Sequence, residues 1–159
     1  MLRDGALAPL WGDAAFVGAS EPTAADRARA LAPLVPARGV VARQSAVWVH
    51  TGSHAPRRAD VAIPLGARRP AAHPERTVTE ATLDPSGIVL LGGVRVTSVQ
   101  RTGIDVARWL DPVHAEPLLA ALVACGFDAH SASADLEHAG GRHVVRARAV
   151  LRGLAGVSG

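Results

Sequence analysis

The run IVLLGGVRVTSVQRTGIDVARWL, residues 88–110, limits the fold more than any other stretch. Two short apolar strands, IVLL and VRVTS, flank a Gly-Gly pair, which predicts a tight hairpin with the glycines at its bend. The apolar residues then stop alternating. Val99, Gly103, Val106, Ala107 and Leu110 recur at helical spacing, so residues 98–110 are expected to form a helix. Thr97 with Gln100 three residues on fits a capping box, and Ser98 is the competing N-cap. Arg101 and Asp105 stand four apart, where side chains on one helix face meet, and Asp105 also reaches Arg108. Thr97, Ser98, Arg101, Thr102 and Asp105 thus read as structural; the competing reading gives Arg101 or Asp105 a direct functional contact.

The flanking chain supplies further elements. LWGDAAFV (10–17) reads as a strand pair around a Gly12-Asp13 turn. EPTAADRARALAPLVP (21–36) reads as a helix capped by Thr23, with Ala24, Ala28, Leu31 and Leu34 on one face and Pro33 and Pro36 ending it. GVVA (39–42) is a short buried strand, and RQSAVWVHTG (43–52) a short helix stopped by Gly52. ADVAIP (59–64) is a strand between two loops; RTVTEATL (76–83) is a half-buried strand of period two, followed by the turn DPSG. Three more helices are expected, over 112–126, 131–140 and 142–156. In the last, Val144, Ala147, Leu151 and Leu154 form the apolar stripe, and Arg142, Arg146, Arg148 and Arg152 face outward. The fold class that follows is α/β of the α+β type: a small mixed, partly antiparallel sheet packed with helices, then a helical C-terminal half.

Composition narrows the chemistry. A chain of 159 residues suits one domain with a modest core. All 17 basic residues are Arg, with no Lys, Asn or Tyr. That bias matches GC-rich coding, so the Arg content is not itself a sign of function. A net charge of +3 permits nucleic-acid contact without demanding it. Without Lys there is no P-loop lysine, no Schiff base and no lysine for a restriction-type nuclease core. Cys125 stands alone, which rules out an intrachain disulfide and a Cys-based zinc cluster and suits a reducing cytoplasm. No run approaches the ~20 apolar residues of a membrane span. Asp4 and Asp13 argue against a signal peptide, so a cytoplasmic protein without membrane contact is expected.

Other reactive residues read as ordinary ones. His50 with His54, and His138 with His143, lack the spacing and carboxylates of a metal site, so no metal or other cofactor is expected. Ser45 reads as a helix-start hydroxyl rather than half of a dyad with His50. Cys125 reads as a small buried hydrophobe. Trp11, Trp48 and Trp109 read as core or interface anchors.

Taken in order, these pieces resemble a known family. GVRVTS followed by x-x-R-T-x-x-D is similar to the V-T-S-x-x-R-T-x-x-D segment of the AbiEi-type antitoxins, the antitoxin half of a type IV toxin–antitoxin system. ADRARALAPLVPARGVVARQSAVWVHTG (25–52) resembles that family's helix, strand and S-A-A-x-x-H-G segment, with Ser45, Ala46, His50 and Gly52 at matching places. ADVAIPLGARRP (59–70) resembles the next strand with its Arg-rich exit, and GGRHVVRARAVL (140–151) the basic terminal helix. The likeness covers roughly residues 10–155.

The resemblance implies a non-enzymatic domain, here residues 23–156, that binds and neutralises a nucleotidyltransferase-like toxin. It also implies that residues 1–22 are a remnant of an N-terminal winged helix-turn-helix, with LWGDAAFV as its last wing strand. The surface that a lost winged domain would have covered makes a homodimer an expected arrangement. The residues expected to contact a protein partner or DNA are Arg57, Arg58, Arg68, Arg69, Arg142, Arg146 and Arg152. Two alternatives stand beside the antitoxin reading. One is a DNA-binding transcriptional regulator acting through the Arg-rich loops. The other is a relic nuclease or hydrolase involving His50 or Asp60.

Overall fold

Turn and cap residues place the elements of the chain, whose computed structural model describes residues 7–18 and 20–157. Gly12, at φ 53°, turns strand β1 (Leu7–Trp11) into antiparallel β2 (Ala14–Val17). Thr23 opens helix α1 (Ala24–Leu31): its hydroxyl accepts from the Asp26 N–H at 3.2 Å, and the Asp26 carboxylate accepts from the Thr23 N–H at 2.9 Å. That is a capping box with aspartate in the third helical position. A 3-10 turn containing Pro33 follows, then β3 (Val40–Val41) and α2 (Arg43–Thr51). Gly52 closes α2 in the left-handed region, as its place after the apolar run predicts.

The remaining strands are β4 (Ala59–Pro64), β5 (Arg76–Ala81), β6 (Ile88–Leu91) and β7 (Val94–Thr97). Gly92 and Gly93 both take positive φ, 55° and 78°, and form the two-residue turn between β6 and β7. Its hand matches the twist of the strands it joins. Four helices complete the described chain: α3 (Val99–Trp109), α4 (Pro112–Val123), α5 (Ala129–Glu137) and α6 (Val144–Val157).

The fold is α+β. Five strands form one mixed sheet in the order β5-β4-β3-β7-β6; β1 and β2 form a separate hairpin. Pairs β4/β5 and β3/β7 run parallel, and β3/β4 and β6/β7 antiparallel. The parallel crossover from β4 to β5 uses the loop 65–75 in place of a helix. β5 is half-buried along most of its length, as expected. It is the outermost strand, and neither face is fully covered.

The core has two parts. One lies between the sheet and α1, and includes Ala28, Leu31, Val41, Val94 and Val96. The other fills the helical half, around Val106, Leu119, Leu122, Phe127 and Leu151. Helix α2 joins them: Ala46, Trp48 and Val49 enter the first and Val47 the second. A helix buried all round reads in sequence as a continuous apolar run, here AVWV.

Several boundaries and burials differ from the sequence reading. Helix α4 ends at Val123, short of Gly126, so Cys125 sits in the following turn and is exposed rather than buried. Helix α5 starts at Ala129, because the Asp128 carboxylate caps it by accepting from the Ser131 N–H at 2.9 Å. Trp48 is a core anchor, but Trp109 is 40% exposed. Of the N-terminal segment 1–22, residues 1–6 and 19 lie outside the described residues. The β1–β2 hairpin packs on α1, and Trp11 Nε1 donates to the Pro56 carbonyl at 2.8 Å. Among the described residues, no helix is long and apolar enough to cross a membrane.

Candidate functional site

The segment from Thr97 to Asp105 is the place where three parts of the fold meet. Ser98 is the N-cap of α3, its hydroxyl accepting from the Arg101 N–H at 3.1 Å. Thr97 and Gln100 do not form the competing capping box, because both are engaged elsewhere. The buried Thr97 hydroxyl lies 2.7 Å from that of Thr102, which donates to the Thr97 carbonyl at 3.2 Å. The same carbonyl accepts from His50 Nε2 on α2 at 2.7 Å. Gln100 exchanges two bonds with the backbone of Asp128, at 3.0 and 3.1 Å, and so ties α3 to the start of α5.

Arg101 and Asp105 pair as their spacing predicts. Arg101 Nε donates to both carboxylate oxygens of Asp105 at 3.0 Å, and its Nη2 donates to the Thr82 carbonyl at 3.0 Å. The guanidinium therefore bridges α3 to the exit of β5. Asp105 is only 8% exposed. Burial pushes its carboxyl above the ordinary range, against the pull of Arg101, Arg43 and Arg108. Arg108 does not pair with Asp105. Its Nη2 donates to the Arg142 carbonyl at 3.3 Å, and its guanidinium lies 5.1 Å from the Trp109 ring centre.

These residues line a cleft of about 440 Å³ between α3 and the ends of β4 and β5. Arg43 also lines it, 5.5 Å from the Trp109 ring centre, and His143 meets that ring edge-on. Arg43 has φ 50°, an uncommon conformation for a residue with a side chain. Both carboxylates of the cleft have an arginine partner, one of them from outside the lining. Asp105 faces Arg101, and Glu80 lies 3.5 Å from Arg69. Arg43 attracts the nearby Asp60 carboxyl, which burial pushes up.

The residues weighed for catalysis are apart or already bonded. Ser45 accepts from the Asp60 N–H at 2.8 Å and donates to the Arg58 carbonyl at 3.4 Å; His50 turns instead to Thr97. Among the described residues, no group of three His, Cys, Asp or Glu could hold a metal ion.

The arginines expected to contact a partner divide by environment. Arg58 straps the loop before β5, donating to the Arg76 carbonyl at 2.7 Å. Arg146 is half-buried rather than outward: its Nη2 donates to the carbonyls of Arg108 and Leu110, each at 3.2 Å. It thus caps the end of α3 from a distance in sequence. Arg148 is half-buried too, while Arg152 is exposed and, among the described residues, bonds only the Arg148 carbonyl, at 3.4 Å. The side chains of Arg57, Arg68 and Arg142 are exposed and unpaired among the described residues. Arg57 and Arg68 stand beyond opposite ends of β4. Two further exposed arginines, Arg38 and Arg95, unpaired among the described residues, are not singled out by the sequence. The only local signal for Arg95 is its place between the buried Val94 and Val96.

His50 makes a testable contribution to stability. Burial pulls its imidazole below the ordinary value of 6.5; the bond to the Thr97 carbonyl opposes that pull and Arg27 adds to it. A depressed folded value gives stability that is present above 6.5 and lost as pH falls through the folded value. His50→Gln keeps an N–H donor and does not titrate. Between about pH 7.5 and about pH 5, urea midpoints should therefore fall more for the native chain than for His50→Gln. Equal falls would remove this role.

The chain matches no family model and no curated protein with which it was compared.

Proposed function

We propose that this chain is a non-enzymatic, antitoxin-like domain that binds and neutralises a nucleotidyltransferase-like toxin in the cytoplasm. One observation carries the reading: the polar residues of the motif bond one another and backbone carbonyls across α2, β5, β7 and α3. A nucleophile needs a positioned base and an open approach, and a hydroxyl bonded within the core has neither. That use supports a scaffold presenting a surface, and the resemblance to AbiEi-type antitoxins supplies the class of partner. A second reading, DNA contact, is favoured by Arg57 and Arg68, exposed and unpaired among the described residues, in the loops flanking β4.

The test is growth after expression of the adjacent gene's product, alone and with this chain. Restored growth is the expected result. A toxic neighbour whose effect is untouched overturns the reading. The DNA reading would then require a mobility shift that weakens steeply with salt and depends on sequence.

A further inference from the structure

We infer that the free edge of β6, with the groove beside it, docks an extended segment of a protein partner that is both acidic and apolar. The inference rests on the reading of the chain as a protein-binding domain and names the surface that would do the binding.

The groove encloses about 710 Å³ and runs past the ends of β4 and β5 to β6 and β7. Its walls are mostly apolar, with Leu65, Ala81, Ile88 and Leu90 among them. Leu65 and Leu90 are 65% and 69% exposed, high for leucines in a folded chain. The charged residues of the lining are Arg38 and Arg95. Both are exposed, and neither has a hydrogen bond or ion pair among the described residues.

β6 ends the sheet, and among the described residues its only strand partner is β7. Its residues IVLL include no charge, proline or bulge of the kind that usually guards an edge. The register fixes which backbone groups are free. In a two-residue hairpin the closing pair, Leu91 and Val94, exchanges hydrogen bonds, and bonded pairs then alternate along the strands. Val89 with Val96 is the next bonded pair, and the Ser98 N–H donating to the Gly87 carbonyl at 2.8 Å continues the pattern. The N–H and carbonyl of Leu90 therefore face away from β7. Arg95 stands directly across from Leu90 in the register. A strand added at this edge would bond Leu90 and set alternate apolar side chains beside the exposed Leu90 at the rim of the groove, from where long acidic side chains reach across β6 toward Arg95 and, farther in, Arg38.

Charge selects the occupant. A second copy pairing through β6 would bring another Leu90 and Arg95 but no carboxylate from this lining. The chain also carries +3 overall, which opposes self-association. An acidic partner segment satisfies both arginines.

The test uses the full chain, isotope-labelled for amide NMR, and a synthetic peptide of alternating valine and glutamate. A valine–lysine peptide of equal length is the control. The expected result is amide shifts at β6, slowed exchange of the Leu90 amide, and no binding of the control. Arg38→Glu with Arg95→Glu, both exposed substitutions, should leave the spectrum folded and weaken the acidic peptide by at least about tenfold. Shifts on another surface, equal binding of both peptides, or no binding of either would overturn the inference. So would β6 shifts that arise from protein concentration alone, because the occupant would then be a second copy. Growth rescue separates the two readings. If the folded double variant still rescues, the partner docks elsewhere and the groove falls while the antitoxin reading stands. If the acidic peptide docks but the native chain rescues nothing, the antitoxin reading falls and the groove stands.

Discussion

Arg101→Met should lower folding stability by about 3 kcal/mol at neutral pH, far more than a surface charge change. The reason is the carboxylate it leaves behind. Asp105 keeps 12% of its side chain exposed, and Arg101 Nε bridges both of its oxygens at 3.0 Å. Methionine fills much of the same volume but supplies no donor. The Arg101 side chain is 24% exposed, which places the loss toward the lower end for a buried pair.

The pH dependence gives this prediction its sharpest form. Burial already raises the Asp105 carboxyl above its ordinary 3.8, and loss of Arg101 raises it further. A raised folded value means that stability is held below 3.8 and lost as pH rises through the folded value. The gap between Arg101→Met and the native chain should therefore narrow on acidification. Urea denaturation at about pH 7 and about pH 4.5 measures it. Arg101→Met with Asp105→Leu should return to within about 1 kcal/mol of the native chain, because the uncompensated charge is gone. A gap that is constant with pH, or a double variant as weak as the single one, would contradict the structural role of the pair.

Gly103→Val should cost about 3 kcal/mol, and even Gly103→Ala should destabilise. An exposed helical glycine usually gains about 1 kcal/mol on conversion to alanine. Here a Cβ would run into the Phe127 ring, whose Cδ2 and Cζ lie 2.5 Å from its ideal position. Gly103 is the notch in α3 that seats Phe127, and both are buried in the helical core. Thermal or urea unfolding of the two variants decides it. Combining Gly103→Ala with Phe127→Leu should recover part of the loss. A stabilised Gly103→Ala would show that Phe127 moves aside freely, and that this contact does not fix α3 against the turn after α4.

What the sequence reveals is mostly local. Thr23, Gly52 and the Gly92–Gly93 pair act within a few residues, so their roles as cap, stop and turn can be read without the fold. The Arg101–Asp105 pair lies within one helical turn and is legible for the same reason. The choice of Ser98 over Thr97 as N-cap is less so, because the buried Thr102 and the distant Asp128 decide it. Cys125 looks buried only if the helical period continues to Gly126; the helix ends at Val123 and the inference lapses there. Arg146 looks solvated from its own helix, yet it caps carbonyls 36 and 38 residues away. The groove beside Arg38 and Arg95 depends on the strand order β5-β4-β3-β7-β6, which no local pattern encodes.

Stoichiometry is the most direct test of a binder that acts without turnover. The purified product of the adjacent gene, the proposed toxin, would be titrated with this chain, and whatever nucleotidyltransferase activity it has followed at each step. Activity should fall in proportion to the chain added and vanish at a fixed molar ratio, with both proteins recovered as one complex. Inactivation by a small fraction of an equivalent would mean that each molecule disarms many, and would contradict a purely binding role. Undiminished activity at excess would contradict the antitoxin reading itself.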